Sequence, residues 1–531
     1  MTEVSTPSSV LDGPALAAAL EEFRSIVGPG HVFTESAALA DFRDPYQPKD
    51  WDRQQYAPVA VVQPATTEEV QAIVRAAGRH GVRLWTQSQG RNNGYGGAAP
   101  RVLGCVTLNL RRMNRILEID EEMGYALVEP GVSFMQLHEA IRDAGDKLML
   151  SVPDIGWGSV VGNALDHGTT YLPQGSDFMS SCGLEVVTAD GRLLRTGMGA
   201  QTGNPSWNLY RRGLGPSLDQ LFMQSNFGVV TKMGVWLMPK PKAVMPISVT
   251  VSREEHLVEL VDGLRRLRLD GVLRGVPIIV DTLCFATMVS RRDQWHQGPG
   301  PIPDDVIQQI GETLGVGRWM ARLCLYGDDV VVDHHYATVE QVFGAIPGAV
   351  VRGTKWAGDE LDQIPTPTDR VQAGIPSLDL AQMAAWSGGE TGGHMGFSPV
   401  VPMRGAEVYR LHRLVREIVE SRGLDYANYL IAINERSMIS VAGQTFDSAD
   451  EDQTRRAYEI CRHLVREVGK LGYSEYRAHL NYMDLAMDQF DFGDHAYLRF
   501  VEKIKDAVDP TGIFSPGKQG IWPKDLRAGP A

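Results

Sequence analysis

Cysteine is scarce in this chain: five among 531 residues, at Cys105, Cys182, Cys284, Cys324 and Cys461. An odd, widely spaced set embedded in apolar runs speaks against a disulfide framework; it leaves core packing as the role and fits a reducing compartment. No stretch approaches 18 apolar residues, and the first thirty residues lack a basic start followed by an apolar segment. Neither a membrane span nor a leader is therefore expected, the C-terminal Ala-Gly-Pro-Ala is no targeting signal, and a cytoplasmic protein is the expectation. Long runs of Lys or Arg are missing and the formal net charge is −14, which argues against nucleic acid and anionic membranes as partners. Also absent are His-Glu-x-x-His, paired Cys-x-x-Cys, a Gly-x-Ser-x-Gly elbow and a Walker lysine loop. No metal centre, serine nucleophile or P-loop is expected. His334-His335, the one histidine pair, reads as helix surface.

What the chain does have is glycine in concentrated segments. The first is Ser88-Gln89-Gly90-Arg91-Asn92-Asn93-Gly94-Tyr95-Gly96-Gly97. Residues without Cβ let backbone N–H groups collect around an anion, so this loop is a candidate phosphate cradle that also presents a tyrosine. Gly94-x-Gly96-x-x-Ala99 matches the dinucleotide fingerprint of βαβ folds, but a strand-like run, Val102 to Leu110, follows where that fold needs a helix. Upstream lie a strand at Val59 to Val62, a helix opened by Thr66/Glu69 that carries Val70, Ile73, Val74 and Ala77 and stops at Gly81, and a strand from Val82 to Ser88. The loop thus joins two strands.

At this length, with 43% apolar residues, two domains are expected. Hairpin-like pairs appear at Ile116 to Ile119 with Tyr125 to Val128, and at Leu184 to Thr188 with Arg192 to Thr196 around Asp190-Gly191; Ser133/Gln136 caps a helix between them. A second glycine-rich segment, Pro153-Asp154-Ile155-Gly156-Trp157-Gly158-Ser159-Val160-Val161-Gly162-Asn163, suggests a large ligand held between two loops. Composition shifts at Pro239-Lys240-Pro241-Lys242, which places a boundary at residue 241. Beyond it, strand Ile247 to Val251, a helix opened by Ser252/Glu255, a helix through Val408 and Ile418 and a strand near Tyr429 to Ile433 suggest an α+β unit, 242–474. Residues 475–531 are expected to return to the first unit, 1–241.

Individual residues leave alternatives open. Tyr476-Arg477 could face one small anion or simply be solvated; Asp154 could cap a turn or meet a ligand; His394, in Gly388-Gly389-Glu390-Thr391-Gly392-Gly393-His394-Met395-Gly396-Phe397-Ser398-Pro399, could be structural or touch a flat ligand. Taken in order, the two glycine loops, Gly393 to Pro399, Tyr476-Arg477 and Ser515 to Pro523 resemble the vanillyl-alcohol oxidase and p-cresol methylhydroxylase family of flavoproteins, over about Phe42 to Pro523, with its eugenol-oxidising bacterial members nearest.

The resemblance implies a two-domain α+β fold of the vanillyl-alcohol oxidase type, with a discontinuous FAD-binding domain and a cap domain. It implies FAD bound by Gly90, Arg91, Asn92, Asn93, Gly94, Pro153, Gly158, Ser159, Gly162, Asn163, Gly228, Val230 and Lys518, and joined covalently to His394. Tyr95, Tyr476 and Arg477 match the trio that binds a phenolate, Asp154 the acid near the flavin, and Tyr171, Tyr429 and Ser398 belong to the pocket. A small phenol is the implied substrate and oxygen the acceptor, in an oxidase that releases hydrogen peroxide. Related dehydrogenases pass electrons to a cytochrome and anchor FAD through tyrosine, so a histidine at 394 favours the oxidase. Two departures bear on the substrate: Tyr171-Leu172-Pro173-Gln174-Gly175-Ser176-Asp177 replaces the family's usual continuation, and Tyr429 stands where a smaller or amide side chain is expected. The compact segment Gly199 to Leu221 points to a homodimer.

Overall fold

The computed structural model describes residues 13–48 and 57–527; the extreme N-terminal residues and the C-terminal Ala-Gly-Pro-Ala read above lie outside them. The first sheet has the order β1 (Val32–Phe33), β2 (Ala60–Val62), β4 (Val106–Asn109), β3 (Leu84–Gln87), with β2, β4 and β3 parallel. Helix α1 (Thr67–His80) links β2 to β3. The Thr66 side chain accepts from the Glu69 N–H and Gly81 closes the helix in the left-handed region at φ 68°, so both ends are satisfied as the sequence suggests. Val70, Ile73, Val74 and Ala77 form its buried face. The strand expected over 102–110 is confined to β4, because Gly104 takes φ 79° in the turn before it.

The second sheet is antiparallel, ordered β5 (Ile116–Asp120), β6 (Tyr125–Val128), β9 (Val229–Trp236), β7 (Ser181–Val187), β8 (Leu193–Arg195). Both expected hairpins are present within it. Ser133 and Gln136 form the capping box of α2 (Phe134–Asp143), and Ser159 caps the short α3 (Val160–Leu165). The segment after residue 508 comes back to the first sheet: Phe514 bridges Leu84 in parallel and the Ser515 N–H donates to the Leu84 carbonyl at 2.7 Å.

Between 243 and 447 a third, larger antiparallel sheet forms. Its order is β13 (Val350–Gly353), β10 (Ala243–Val251), β12 (Trp319–Gly327), β11 (Ile278–Asp281), β15 (Ala427–Ile431), β16 (Ser437–Asp447), β14 (Gly392–Phe397). Helices α4 (Leu257–Leu269), α6 (Asp329–Phe343), α7 (Gly405–Glu420) and α8 (Glu451–Gly469) cover one face, packing Leu260, Val339, Leu411 and Leu464 against Ile279, Ala321 and Leu430. Alternation sends the neighbours Ile278, Val280, Met320, Tyr429 and Ile431 to the other face, beside α5 (Thr282–Val289) and residues of the second sheet. The capping box expected at Ser252/Glu255 does not form: a 3₁₀ turn, Glu254–His256, precedes α4, and Arg253 holds the Glu255 carboxylate. All five cysteines are unpaired and buried, as core packing requires. Among the described residues no helix is long and apolar enough to cross a membrane.

Candidate active site

The loop from β3 to β4 is held at its start by the Asn109 side chain, which donates to the Ser88 carbonyl at 2.9 Å, and by Gln89, which donates to the Gly131 carbonyl at 2.5 Å. It folds back on Asn92, whose carbonyl accepts from the Tyr95 and Gly97 N–H groups. Gly94 has φ 77°, and a Cβ there would stand 2.9 Å from His394 Nε2, so the glycine brings backbone directly against the imidazole. Gly96 has φ 101°, and a Cβ would lie 1.8 Å from Leu480 Cδ2. The second loop meets the first: Gly162 leaves no room for a Cβ beside Ser88 Oγ, 2.2 Å away, and Arg91 donates to the Trp157 carbonyl at 2.8 Å.

Two adjoining cavities follow. One, of about 210 Å³, is lined by Gly90, Ser159, Gly162, Gly228, Val230 and Lys518. The other, of about 320 Å³, is lined by Asn93, Gly94, Pro153, Asp154, Tyr171, His394, Tyr429 and Tyr476. Arg91, Asn92, Tyr95, Gly158, Asn163 and Arg477 line both, so the two cavities lie side by side along one path through the protein. Ser398 lines neither. It is fully buried, with its Oγ 3.0 Å from Tyr95 Oη.

At one end of the larger cavity Arg477 stacks its guanidinium 4.0 Å over the Tyr95 ring and 5.6 Å from the Tyr476 ring. Burial pushes the Tyr476 phenol well up, against the pull of Arg477, so both partners hold their ordinary protonation at neutral pH. Phe178 stacks on Tyr476 at 6.1 Å and 5°, a contact with no signal in the sequence. Behind them the carboxyl of Glu475, pushed up to about 8 by burial, accepts from the Ser398 N–H at 3.0 Å. A second cluster lines the same cavity: Tyr171 Oη donates to Asp154 Oδ2 at 2.7 Å, and Tyr429 reaches both. Arg322, buried mid-strand in β12, pulls on Asp154 electrostatically while its ion-pair partner is Asp369 at 3.8 Å; a charged residue inside the apolar run Trp319-Met-Ala-Arg-Leu-Cys324 is the signal in the sequence that points to it. His394 sits edge-on to Tyr46 at 5.6 Å; burial lowers its imidazole to about 4, so the ring is neutral near pH 7.

The path suits an extended dinucleotide with a flat ring. Its walls carry buried polar atoms that no group among the described residues satisfies, including Ser225 Oγ, Asn226 Oδ1 and His394 Nδ1. Of these, Ser225 and Asn226 immediately precede β9, where the sequence signals only the approach to a strand. Among the described residues no cluster of His, Cys, Asp or Glu could hold a metal ion.

Comparison with known proteins bears on this site directly. A family model described as an FAD binding domain matches residues 58–197, which span both glycine loops. The chain is 37% identical, over 95% of each sequence, to the 4-cresol dehydrogenase [hydroxylating] flavoprotein subunit of Pseudomonas putida. It is similar in structure to the 4-ethylphenol oxidase from Gulosibacter chungangensis in its isoeugenol complex, with a TM-score of 0.93 at 36% identity over 98% of this chain and 100% of that one. It is also similar to p-cresol methylhydroxylase with substrate bound, with a TM-score of 0.90 at 35% identity over 98% and 99% of the two chains. With the expected α+β fold present and FAD as its cofactor, the chain is an oxidoreductase that belongs to the vanillyl-alcohol oxidase and p-cresol methylhydroxylase family of flavoproteins.

Proposed function

We propose that this enzyme oxidises small para-substituted phenols, of the 4-alkylphenol, eugenol or vanillyl alcohol type, at the benzylic carbon, with oxygen as acceptor and hydrogen peroxide as product. The carrying observation is the Arg477 guanidinium stacked on Tyr95 beside Tyr476, in one cavity with a separate Asp154 cluster. A phenol has a pKa of about 10, so holding it as phenolate near neutral pH takes a fixed cation and hydroxyl donors. Arg477 supplies the charge and Tyr95 and Tyr476 the donors. Bound FAD would supply the two-electron acceptor for the benzylic hydride, with His394 among the residues that would hold it. Loss of hydride from the phenolate leaves a neutral para-quinone methide. Water adds to its benzylic carbon, giving a proton to Asp154 while the ring oxygen recovers its charge; a benzylic alcohol goes instead to the aldehyde. Gly90, Asn92, Gly158, Ser159, Gly162 and Asn163 would hold the dinucleotide, with His394 as its covalent anchor.

A second reading, electron transfer to a cytochrome, draws on the likeness to the 4-cresol dehydrogenase subunit. Purified yellow protein given 4-ethylphenol or vanillyl alcohol under air decides between them. One peroxide per phenol oxidised is expected. Flavin that is reduced by the phenol yet reoxidises only with an added cytochrome would establish the second reading, and no reduction by either phenol would overturn both.

A further inference from the structure

Tyr429 is the residue that departs from expectation, and the alternation of β15 sends it to the cavity with Ile431. Its hydroxyl stands 2.7 Å from that of Tyr171, Tyr171 donates to Asp154 Oδ2 at 2.7 Å, and Tyr429 reaches Asp154 Oδ1 at 3.3 Å. Three contacts have to be shared among the available protons. With Asp154 ionised there are two, one on each phenol. Were both phenols to donate only to the carboxylate, their oxygens would meet across 2.7 Å with no hydrogen between them, which is repulsive. The arrangement that fills both short contacts runs from the Tyr429 hydroxyl to Tyr171 Oη, and from the Tyr171 hydroxyl to Asp154 Oδ2. Oδ1 then receives only the long, divided share of Tyr429. A neutral Asp154 would bring a third proton and draw the third contact in to the length of the others.

We propose that Tyr429 is a positioning residue: acting largely through Tyr171, it keeps Asp154 a carboxylate and leaves Oδ1 as the open acceptor in the cavity. This rests on the part given to Asp154 under the proposed function. Among the described residues, Arg322 of β12, itself paired with Asp369 at 3.8 Å, adds a charge that also favours the carboxylate, and Cys284 of α5 is a buried thiol that stays protonated. Burial, the largest influence on Asp154, pushes the carboxyl up; Tyr171, Arg322 and Tyr429 oppose it in that order.

The test is Tyr429→Phe, which keeps the ring and removes the head of the chain. In the holoenzyme, infrared difference spectra across pH follow the protonated-carboxyl band that Asp154→Asn deletes. In Tyr429→Phe this band should appear about one pH unit higher, a roughly tenfold tighter proton, and the acid limb of kcat/KM for 4-ethylphenol should move with it. Tyr429→Gln, which restores an N–H donor, should bring the band back toward the parent. A band that does not move in Tyr429→Phe overturns the inference. The infrared titration needs no turnover, so failure to oxidise any phenol would strike the proposed function and leave this test standing.

Discussion

Arg477→Met keeps the hydrophobic stem but removes the guanidinium that lies 4.0 Å over Tyr95. At pH 7.5, ionising a free phenol of pKa about 10 costs about 3.4 kcal/mol. A cation about 4 Å from the phenolate is worth about 4 kcal/mol at the effective dielectric of a partly enclosed site, which offsets that cost and leaves little to spare. Without it the bound phenol returns to its neutral form, and the flavin-reduction rate constant should fall by about 10² to 10³ at pH 7.5. The loss should shrink by about tenfold for each unit as pH rises toward 10, since the solvent then does the ionising. Arg477→Lys, which keeps a charge but not the flat stack on Tyr95, should recover part of the rate. Anaerobic stopped-flow bleaching of the flavin by 4-ethylphenol, followed from pH 7 to 10, reads all three, with flavin content measured alongside. A fall of less than about tenfold, or a fall that does not shrink with pH, would refute the phenolate argument.

Denaturing the native protein should leave yellow flavin on the precipitated chain, whereas His394→Ala should release it to the supernatant; free flavin from the native protein would remove His394 as the anchor. Gly96→Ala forces a Cβ to 1.8 Å from Leu480 Cδ2 at φ 101° and should cost about 2–4 kcal/mol in thermal or urea unfolding, so a loss under about 0.5 kcal/mol would contradict the packing described. Glu475 is raised to about 8 when folded, from an ordinary value near 4.5. Folded protein therefore binds the extra proton between those values, and its stability should decline as pH rises from about 4.5 to about 8, by at most ~5 kcal/mol from this group. Glu475→Gln should flatten that decline in urea unfolding midpoints, and an unchanged slope would argue that Glu475 is not buried as described.

The elements that were legible in the sequence are those written in local terms. Thr66 with Glu69 and Gly81 bracket α1, and Ser133 with Gln136 box the start of α2, because capping is decided by neighbours within a few residues. Ser252 and Glu255 offered the same signature and failed, since Arg253 competes for the carboxylate and the chain tightens into a 3₁₀ turn first. The site is another matter. Tyr95, Asp154 and Arg477 are far apart in the chain, and nothing in their local patterns joins them; only their ordered likeness to a family did so before the fold was known. The stacking of Phe178 on Tyr476 and the electrostatic pull of Arg322 on Asp154 depend on how the sheets pack, which no short pattern encodes. Ser398 likewise meets Tyr95, 303 residues away in the chain, only through packing, with its Oγ 3.0 Å from Tyr95 Oη.

The central claim is that the enzyme reads its substrate through an ionised phenol oxygen. Anaerobic mixing of the yellow holoenzyme with 4-ethylphenol, and separately with its O-methyl ether, tests this most directly, because the ether keeps the benzylic carbon and loses the acidic proton. Rapid bleaching by the phenol and none by the ether is the expected result, and equal bleaching by both would contradict the account.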